Sequence, residues 1–309
     1  MNRQAKKDAL NAVNNELLKS YADGFGVNDA GSDSLPRRSE VVAVTEKLLE
    51  LIFPGFDRAG TYPSSAVLLG DCMRELSDQI SRAMHRMVGD DCSGCEHGCN
   101  SRCDDLSLAL LRKLPEIRET MKADVKAAYN GDPAAKNYDE IILSYPGVKA
   151  IAIQRLAHIL YVLDVPLIPR MMTEYAHSVT GIDIHPGATI GSGVFIDHGT
   201  GVVVGETAVI GDNVRIYQGV TLGAANFPKN ACGMLIKGNK RHPTVGRNVT
   251  IYSGASVLGD ITIGDNSVIG GNVWLAESLP PGTKITALPP EHRKKFLNSN
   301  DGKKNESGN

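Results

Sequence analysis

Aliphatic residues recur at intervals of six positions through the second half of the chain, and this interval limits the folds open to it. Three runs keep the interval: Ile184, Ile190 and Ile196; Val204, Ile210, Ile216 and Leu222; and Val245, Ile251, Val257, Ile263, Ile269 and Leu275. A helix repeats its buried face about every 3.6 residues and a half-buried strand about every two, so neither produces a period of six. Short strands that each point one aliphatic side chain inward do produce it. The sequence therefore predicts a parallel β-helix, in which such strands stack coil upon coil.

Turn-forming residues follow these aliphatic positions and indicate where each coil bends. Examples are Ile190-Gly-Ser-Gly, Ile210-Gly-Asp-Asn, Val245-Gly-Arg-Asn and Ile263-Gly-Asp-Asn. Glycine and asparagine accept the left-handed backbone that a sharp corner needs. Residues 223–244 leave the six-residue register and contain Pro228, Gly233 and Gly238. We therefore expect them to form a loop that projects from a β-helix spanning residues 181–282.

The first 180 residues have helical spacing instead. Val41, Val44, Leu48 and Leu51 repeat at three or four positions, and similar spacing predicts helices over 69–80, over 117–125 with an end near residue 131, and over 148–163. Asp132-Pro133 is typical of an N-cap followed by proline in the first turn. The predicted fold class is α+β, with an α-helical domain (1–180), the β-helix domain (181–282) and a polar tail (283–309) that we expect to be disordered.

Charge and hydropathy argue against two classes of partner. The chain has 33 Lys and Arg against 35 Asp and Glu, a net charge of −2, so it lacks the basic field that favours nucleic acid. No apolar run approaches the roughly 20 residues of a membrane span. The segment Met1-Asn-Arg-Gln-Ala-Lys-Lys has no apolar core of a secretory signal behind it. We therefore expect a cytoplasmic protein that binds neither nucleic acid nor membrane.

Polar segments interrupt the β-helix where packing does not require them. They are Asp183-Ile-His-Pro, Asp197-His198-Gly-Thr-Gly, Val203-Val-Gly-Glu-Thr and Lys240-Arg241-His242-Pro. A histidine with a carboxylate partner can act as a general base, because its pKa lies near neutrality and the partner fixes its tautomer. Asp183 and His198 are 15 positions apart and one coil takes about 18 residues. We therefore expect these two residues to be neighbours on successive coils.

Together with Gln218-Gly-Val-Thr-Leu-Gly, these segments resemble serine O-acetyltransferase, a family of hexapeptide-repeat acyltransferases. The resemblance covers residues 130–282. It implies a left-handed β-helix, and a homotrimer or a dimer of trimers with active sites between neighbouring prisms. It also implies the transfer of acetyl from acetyl-CoA to the hydroxyl of L-serine, giving O-acetylserine for cysteine biosynthesis.

The resemblance further implies roles for individual residues. His198 would be the general base, and Asp183 would orient it. The ammonium group of serine would meet Asp132 and Asp197, and its carboxylate would meet Arg241 and His242, because arginine pairs well with carboxylates. Acetyl-CoA would lie between two prisms, beside small residues that permit close approach: Ser253, Gly254, Ala255, Gly270 and Gly271. The attack would be direct, with no covalent intermediate and no metal.

Three other functions are open on the sequence. A sibling acetyltransferase would act on homoserine or on a sugar hydroxyl, although Asp132 and Arg241 together favour an amino acid. A γ-type carbonic anhydrase, also a hexapeptide trimer, would need three histidines on zinc, and His185, His198 and His242 are available. A purely structural subunit would have no use for a paired aspartate and histidine.

Two features depart from the family pattern. Cys92, Cys95, Cys99 and Cys103 form a compact group around His97, which fits either a zinc or iron–sulfur site or a helix face of buried thiols. The sequence closes with Glu-Ser-Gly-Asn, whereas the family's best-known members close with an isoleucine that binds cysteine synthase. We therefore do not expect cysteine synthase as a partner.

Overall fold

The computed structural model describes residues 2–22, 35–56, 65–88 and 98–288, and in this part of the chain seven helices precede a stack of short strands. The helices are α1 (Arg3–Tyr21), α2 (Arg38–Ile52), α3 (Ser65–Val88), α4 (Gly98–Gly131), α5 (Tyr138–Ser144), α6 (Pro146–Val162) and α7 (Ile168–Thr180). The four helices predicted from apolar spacing are confirmed as α2, α3, α4 and α6, and α4 ends at the expected residue.

The residues between α4 and α5 form a turn, so the prediction that Asp132 caps a helix is wrong. Asp132 Oδ1 accepts a hydrogen bond from the backbone N–H of Ala134 at 2.8 Å, which closes the turn. The next helix is capped by Asn137, whose side chain accepts from the backbone N–H of Glu140 at 2.8 Å. Asparagine caps as well as aspartate, and the acidic first turn of α5 favours a start at this later position.

Fourteen strands form a three-sided prism in which all paired strands run parallel. They are β1 (Asp183–Ile184), β2 (Thr189–Ile190), β3 (Phe195–Asp197), β4 (Val203–Val204), β5 (Val209–Ile210), β6 (Arg215–Tyr217), β7 (Thr221–Gly223), β8 (Thr244–Val245), β9 (Thr250–Ile251), β10 (Ser256–Leu258), β11 (Thr262–Ile263), β12 (Val268–Ile269), β13 (Trp274–Leu275) and β14 (Lys284–Ile285). Face 1 contains β1, β4, β7, β10 and β13; face 2 contains β2, β5, β8 and β11; face 3 contains β3, β6, β9, β12 and β14. The parallel β-helix is confirmed.

The side chains in the six-residue register fill the interior of the prism. All of them are at most 3% exposed except Ile190, which is partly buried against the same core. The register also survives the interruption after β7: the chain leaves the prism for residues 224–243 and returns with Thr244 aligned to Val209. One inward aliphatic residue per strand is therefore enough to keep successive coils aligned.

Asparagines turn the corner between faces 2 and 3. Asn213, Asn248 and Asn266 all have φ between 56° and 59°, the left-handed region that most side chains avoid. Their amides form a ladder along the corner, because Asn213 Nδ2 donates to Asn248 Oδ1 at 3.2 Å and Asn248 Nδ2 donates to Asn266 Oδ1 at 3.0 Å. The predicted use of asparagine at corners is confirmed.

A buried ion pair attaches the helices to the first coil. Arg155 of α6 contacts Asp124 of α4 at 2.9 Å, and their side chains are 9% and 1% exposed. Arg155 also donates to the carbonyl oxygens of Ile190 and Gly191, at 3.0 and 2.6 Å. Asp124 Oδ1 accepts from the backbone N–H of Val194 at 2.9 Å. These bonds hold α4, and with it the Asp132 turn, over the first coil.

We predict that Arg155→Met lowers the free energy of unfolding by about 3–5 kcal/mol, because it leaves the Asp124 carboxylate buried without its counter-charge. Urea denaturation of the two proteins measures this. Lys122→Ala is the matched control, since it breaks an ion pair with Glu119 on the same helix α4, where both side chains are mostly exposed, and such pairs contribute about 0–1 kcal/mol. Equal stability of Arg155→Met and wild type would contradict the anchoring role.

Candidate active site

The polar residues singled out in the β-helix lie mainly at two of its corners. The 3–1 corner, between faces 3 and 1, consists of residues 198–202, 218–220, 252–255 and 270–273. The 1–2 corner, between faces 1 and 2, consists of residues 185–188, 205–208 and 224–243. The two corners are the opposite edges of face 1.

His198 begins the 3–1 corner, directly after β3. Its φ is 58°, a left-handed conformation that histidine adopts more readily than most residues. Its side chain is 73% exposed, and Nε2 lies 3.8 Å from Oδ1 of Asp197, which is only 13% exposed. The corner thus presents an accessible imidazole next to a shielded carboxylate.

Asp132 reaches the same site from the helical domain. Tyr145 Oη donates to Asp132 Oδ2 at 2.5 Å. This bond and the one from Ala134 N–H lower the pKa of Asp132, with smaller contributions from the nearby charges of His198 and Arg215. Burial and the bond to Asp132 in turn raise the pKa of Tyr145, so the phenol stays a donor. Asp132 is therefore an ionised carboxylate within electrostatic range of His198.

Arg215 and Tyr145 are parts of this site that the sequence reasoning missed. The guanidinium of Arg215 lies over the ring of Phe195 at 5.3 Å and over that of Tyr217 at 5.8 Å. It also approaches the end of α4 so closely that a Cβ on Gly131 would lie 2.1 Å from Nη2. No repeat or motif marks either residue, because their contacts run between the helical domain and the prism.

Arg241 lies at the 1–2 corner and is held by Glu206. Arg241 Nη2 forms an ion pair with Glu206 Oε2, and Tyr161 Oη donates to Glu206 Oε1 at 2.8 Å. Burial raises the pKa of Glu206, but the hydrogen bonds from Arg241 and Tyr161 outweigh it and lower the pKa overall. Glu206, to which the sequence assigned no role, therefore anchors the arginine.

His242 is buried next to Arg241, with 7% of its surface exposed. The backbone N–H of Thr207 donates to its Nδ1 at 3.1 Å, so Nε2 carries the hydrogen in the neutral ring. The ring lies against Gly205, where a Cβ would be 2.1 Å from Nε2. Burial, and then the charge of Arg241, lower the pKa of His242 to about 4. At neutral pH His242 is an uncharged hydrogen-bond donor.

The two corners do not meet within one chain. None of the hydrogen bonds or ion pairs of the described residues joins His198 to Arg241, to His242 or to Asp183. Asp183 lies on face 1, in register with Val203, twenty positions on, because residues 198–202 lengthen this coil. His198 instead follows Asp197, which is in register with Tyr217. The expected contact between Asp183 and His198 is therefore not formed inside the chain, and the role of Asp183 stays a prediction.

The residues expected to contact acetyl-CoA lie in the 3–1 corner beyond His198. Backbone hydrogen bonds stack this corner coil upon coil, from Gly219 N to Thr200 O at 2.9 Å, from Gly254 N to Gln218 O at 3.0 Å, and from Asn272 N to Ser253 O at 2.9 Å. Ser253, Gly254 and Gly271 reach the surface, whereas Gly270 and Ala255 are buried. Ala255 could therefore contact a ligand only through its backbone.

The histidines proposed for zinc are not grouped within the chain. Among the described residues, the metal-ligating side chains that converge are Glu174, His177 and Asp183, whose ligand atoms lie within 4.8 Å of one another. His185 accepts from Gly187 N–H through Nδ1 at 3.0 Å.

The cysteine group is described only in part. Cys103 is buried in α4, whereas Cys92, Cys95, His97 and the side chain of Cys99 lie outside the described residues, as does the tail from 289. Among the helices that the structure describes, none has the length and apolar character to cross a membrane.

Comparisons with known proteins match both halves of the chain. The family profile "Serine acetyltransferase, N-terminal" matches residues 76–153, and the profile "Bacterial transferase hexapeptide (six repeats)" matches residues 242–277. A "Serine acetyltransferase, plasmid" of Synechococcus elongatus is 56% identical over 187 residues, 60% of this chain and 59% of that protein. The serine acetyltransferase of Mycobacterium tuberculosis is 49% identical over 169 residues, 55% of this chain and 70% of that protein.

A solved structure extends the similarity through the helical domain. The crystal structure of Entamoeba histolytica serine acetyltransferase 1 in complex with L-cysteine has a TM-score of 0.68 and 39% identity, and it covers 78% of this chain and 85% of that one. The chain belongs to the serine acetyltransferase family. Membership in this family confirms the left-handed hexapeptide β-helix after a helical region, and it does not favour the carbonic anhydrase alternative.

We predict that His242 makes the stability of this serine acetyltransferase depend on pH. In the unfolded chain the ring takes up a proton near pH 6.5, but in the folded chain only near pH 4. The unfolded state therefore binds the proton first as the pH falls, and stability declines from about pH 6.5 towards pH 4. His242→Gln should remove this part of the pH dependence in urea denaturation. A wild-type His242 resonance that titrates near pH 6.5 would contradict the buried neutral ring.

Proposed function

We propose that this chain transfers the acetyl group of acetyl-CoA to the hydroxyl of L-serine, giving O-acetylserine for cysteine biosynthesis. The observation that carries the proposal is the accessible His198 between two carboxylates, Asp197 and Asp132, at one end of a corner rich in glycine. Membership in the serine acetyltransferase family supports the same reaction. The aligned part spans 59% and 70% of the two relatives' lengths, so activity, substrates and partners are inferred for the chain as it stands.

Substrate recognition in this proposal uses charges of opposite sign. The carboxylates of Asp132 and Asp197 bind the ammonium group of serine. Arg241, aligned by Glu206, binds its carboxylate, and the Nε2–H of His242 is suited to donate a second hydrogen bond. Homoserine carries the same two charged groups on a longer side chain, whereas a sugar carries neither. An acceptor with both charges is therefore favoured over a sugar.

The same set of residues favours an oligomer. The ammonium site lies on the 3–1 corner and the carboxylate site on the 1–2 corner, at opposite edges of face 1. One serine molecule can use both only if the 3–1 corner of one prism faces the 1–2 corner of another. Three prisms related by a threefold axis satisfy this for every chain. We infer a homotrimer or a dimer of trimers, in which Asp183 can also approach a histidine of the neighbouring prism.

Catalysis then proceeds by direct attack. His198 takes the proton of the serine hydroxyl as its oxygen attacks the thioester carbonyl. Backbone N–H groups of the 3–1 corner are suited to stabilise the oxyanion of the tetrahedral intermediate. The carbon–sulfur bond breaks as the intermediate collapses, and His198 returns the proton to the departing thiolate of CoA. Each step uses groups of the protein and of the two substrates, and none requires a metal.

We predict that His198→Asn lowers kcat for serine acetylation by about 10²–10⁴-fold, the usual contribution of a general base. Asparagine tolerates the positive φ of this position, so this variant removes the imidazole with less backbone strain than alanine would introduce. Acetyl-CoA affinity, measured by calorimetry, should stay within a factor of about two. Normal turnover in His198→Asn would exclude His198 as the base.

We predict that Arg241→Ala raises KM for serine by roughly 30-fold or more, because a charge-assisted contact in a partly dry site is lost. Glu206→Gln should raise it less, since the guanidinium stays but is no longer anchored. Arg247→Ala is the control, because Arg247 pairs with Asp265 on the exposed corner between faces 2 and 3. L-Cysteine shares both charges with serine, so inhibition by L-cysteine should weaken in parallel. A rise in KM for acetyl-CoA alone would make Arg241 a cofactor residue.

A further inference from the structure

Trp274 is the only tryptophan of the chain, and its side chain points into solvent. It begins β13 on face 1, three positions beyond Gly271 of the 3–1 corner. Its neighbours Val273 and Leu275 are buried, whereas Trp274 is 73% exposed. The ring contacts among the described residues do not include it. The prism has thus left its largest apolar side chain outside the core, at the far end of face 1.

The register of the coils gives the distance from this residue to the catalytic histidine. Asp197 aligns with Tyr217, Ile216 aligns with Ile251, and Ile251 aligns with Ile269. Three coil spacings therefore separate His198 from the Gly270-Gly271 turn that leads into Trp274. Neighbouring strands lie about 4.8 Å apart, so the separation along the prism is about 14 Å.

This distance matches the pantetheine arm of acetyl-CoA. The arm contains two amide-linked units and is about as long as four extended peptide residues, which is about 14 Å. With its thioester at His198 and its arm along the 3–1 corner, acetyl-CoA brings its adenosine end to the level of Trp274. Lys284 of β14 is an exposed cation on the same last coil, beside the strand that leads into Gly270, and it is suited to a phosphate group.

We propose that Trp274 is the adenine platform of the acetyl-CoA site, with the indole stacked on the purine. The proposal rests on the proposed function, because it takes acetyl-CoA as the donor. Stacking between a base and an aromatic side chain depends on the π-face, and an exposed indole at the end of the groove supplies one. The serine end of the site shares no residue with it.

Two donors test the proposal: acetyl-CoA, and S-acetylpantetheine, which lacks the whole adenosine portion. Trp274→Ala should raise KM for acetyl-CoA by about 5- to 150-fold. It should leave KM for S-acetylpantetheine and KM for serine unchanged, and Trp274→Phe should restore most of the affinity for acetyl-CoA. Val203→Ala, at the same position on face 1 but on the second strand of that face, is the control and should change neither donor constant.

The single tryptophan also allows a direct reading of binding. Adenosine 3′,5′-bisphosphate, which has no thioester arm, should quench the fluorescence of the wild-type oligomer saturably and should compete with acetyl-CoA. Equal rises in KM for both donors, no rise for either, or dissociation of the oligomer in Trp274→Ala by light scattering would overturn the proposal. Failure of wild type to acetylate serine with either donor would refute the proposed function instead, and the bisphosphate titration would then decide the role of Trp274 by itself.

Discussion

The stacking of one coil on the next is the constraint on which the rest of this molecule depends. Each strand contributes one aliphatic side chain to a narrow interior, and the parallel hydrogen bonds between coils allow a single alignment. A residue at a corner is therefore repeated, one coil spacing along, by another residue at the same corner. Corners become columns, and a column is a suitable track for an extended ligand. The proposed acetyl-CoA groove is a consequence of the packing that holds the prism together.

The helical domain supplies what the prism cannot. Strand residues of the β-helix are confined to repeating positions, so an acidic group opposite His198 has to come from outside the repeat. It comes from the turn after α4, and its position depends on the buried Arg155–Asp124 pair and on the approach of Arg215 to Gly131. Because the pair is almost fully dry, the domain attaches to the first coil in one orientation. Asp132 thereby lies within electrostatic range of the imidazole.

The sequence predicts the periodic parts of this protein well and the contacts between its domains poorly. The inward register, the asparagine corners and four helices follow from local spacing, and the structure confirms them. Tyr145, Arg215 and Glu206 were missed because their partners are distant in sequence and no short pattern requires them. Asp132 was misread as a helix cap because Asn137 competes for that role five residues later. The Asp183–His198 contact failed because the glycine-rich corner adds residues to one coil, which an average coil length does not reveal.

The distribution of charge explains why recognition would be divided between two prisms. The 3–1 corner carries two carboxylates, and the 1–2 corner carries an arginine whose charge is directed by Glu206 and whose neighbour His242 is neutral at physiological pH. If both signs lay on one corner, Arg241 would pair with Asp132 and neither would be available to substrate. Separation on opposite edges of face 1 prevents this within a chain, and Glu206 and Tyr145 occupy the two charges in the meantime. A zwitterionic acceptor that spans two prisms can engage both sets of groups at once, and an acceptor with a single charge can engage only one.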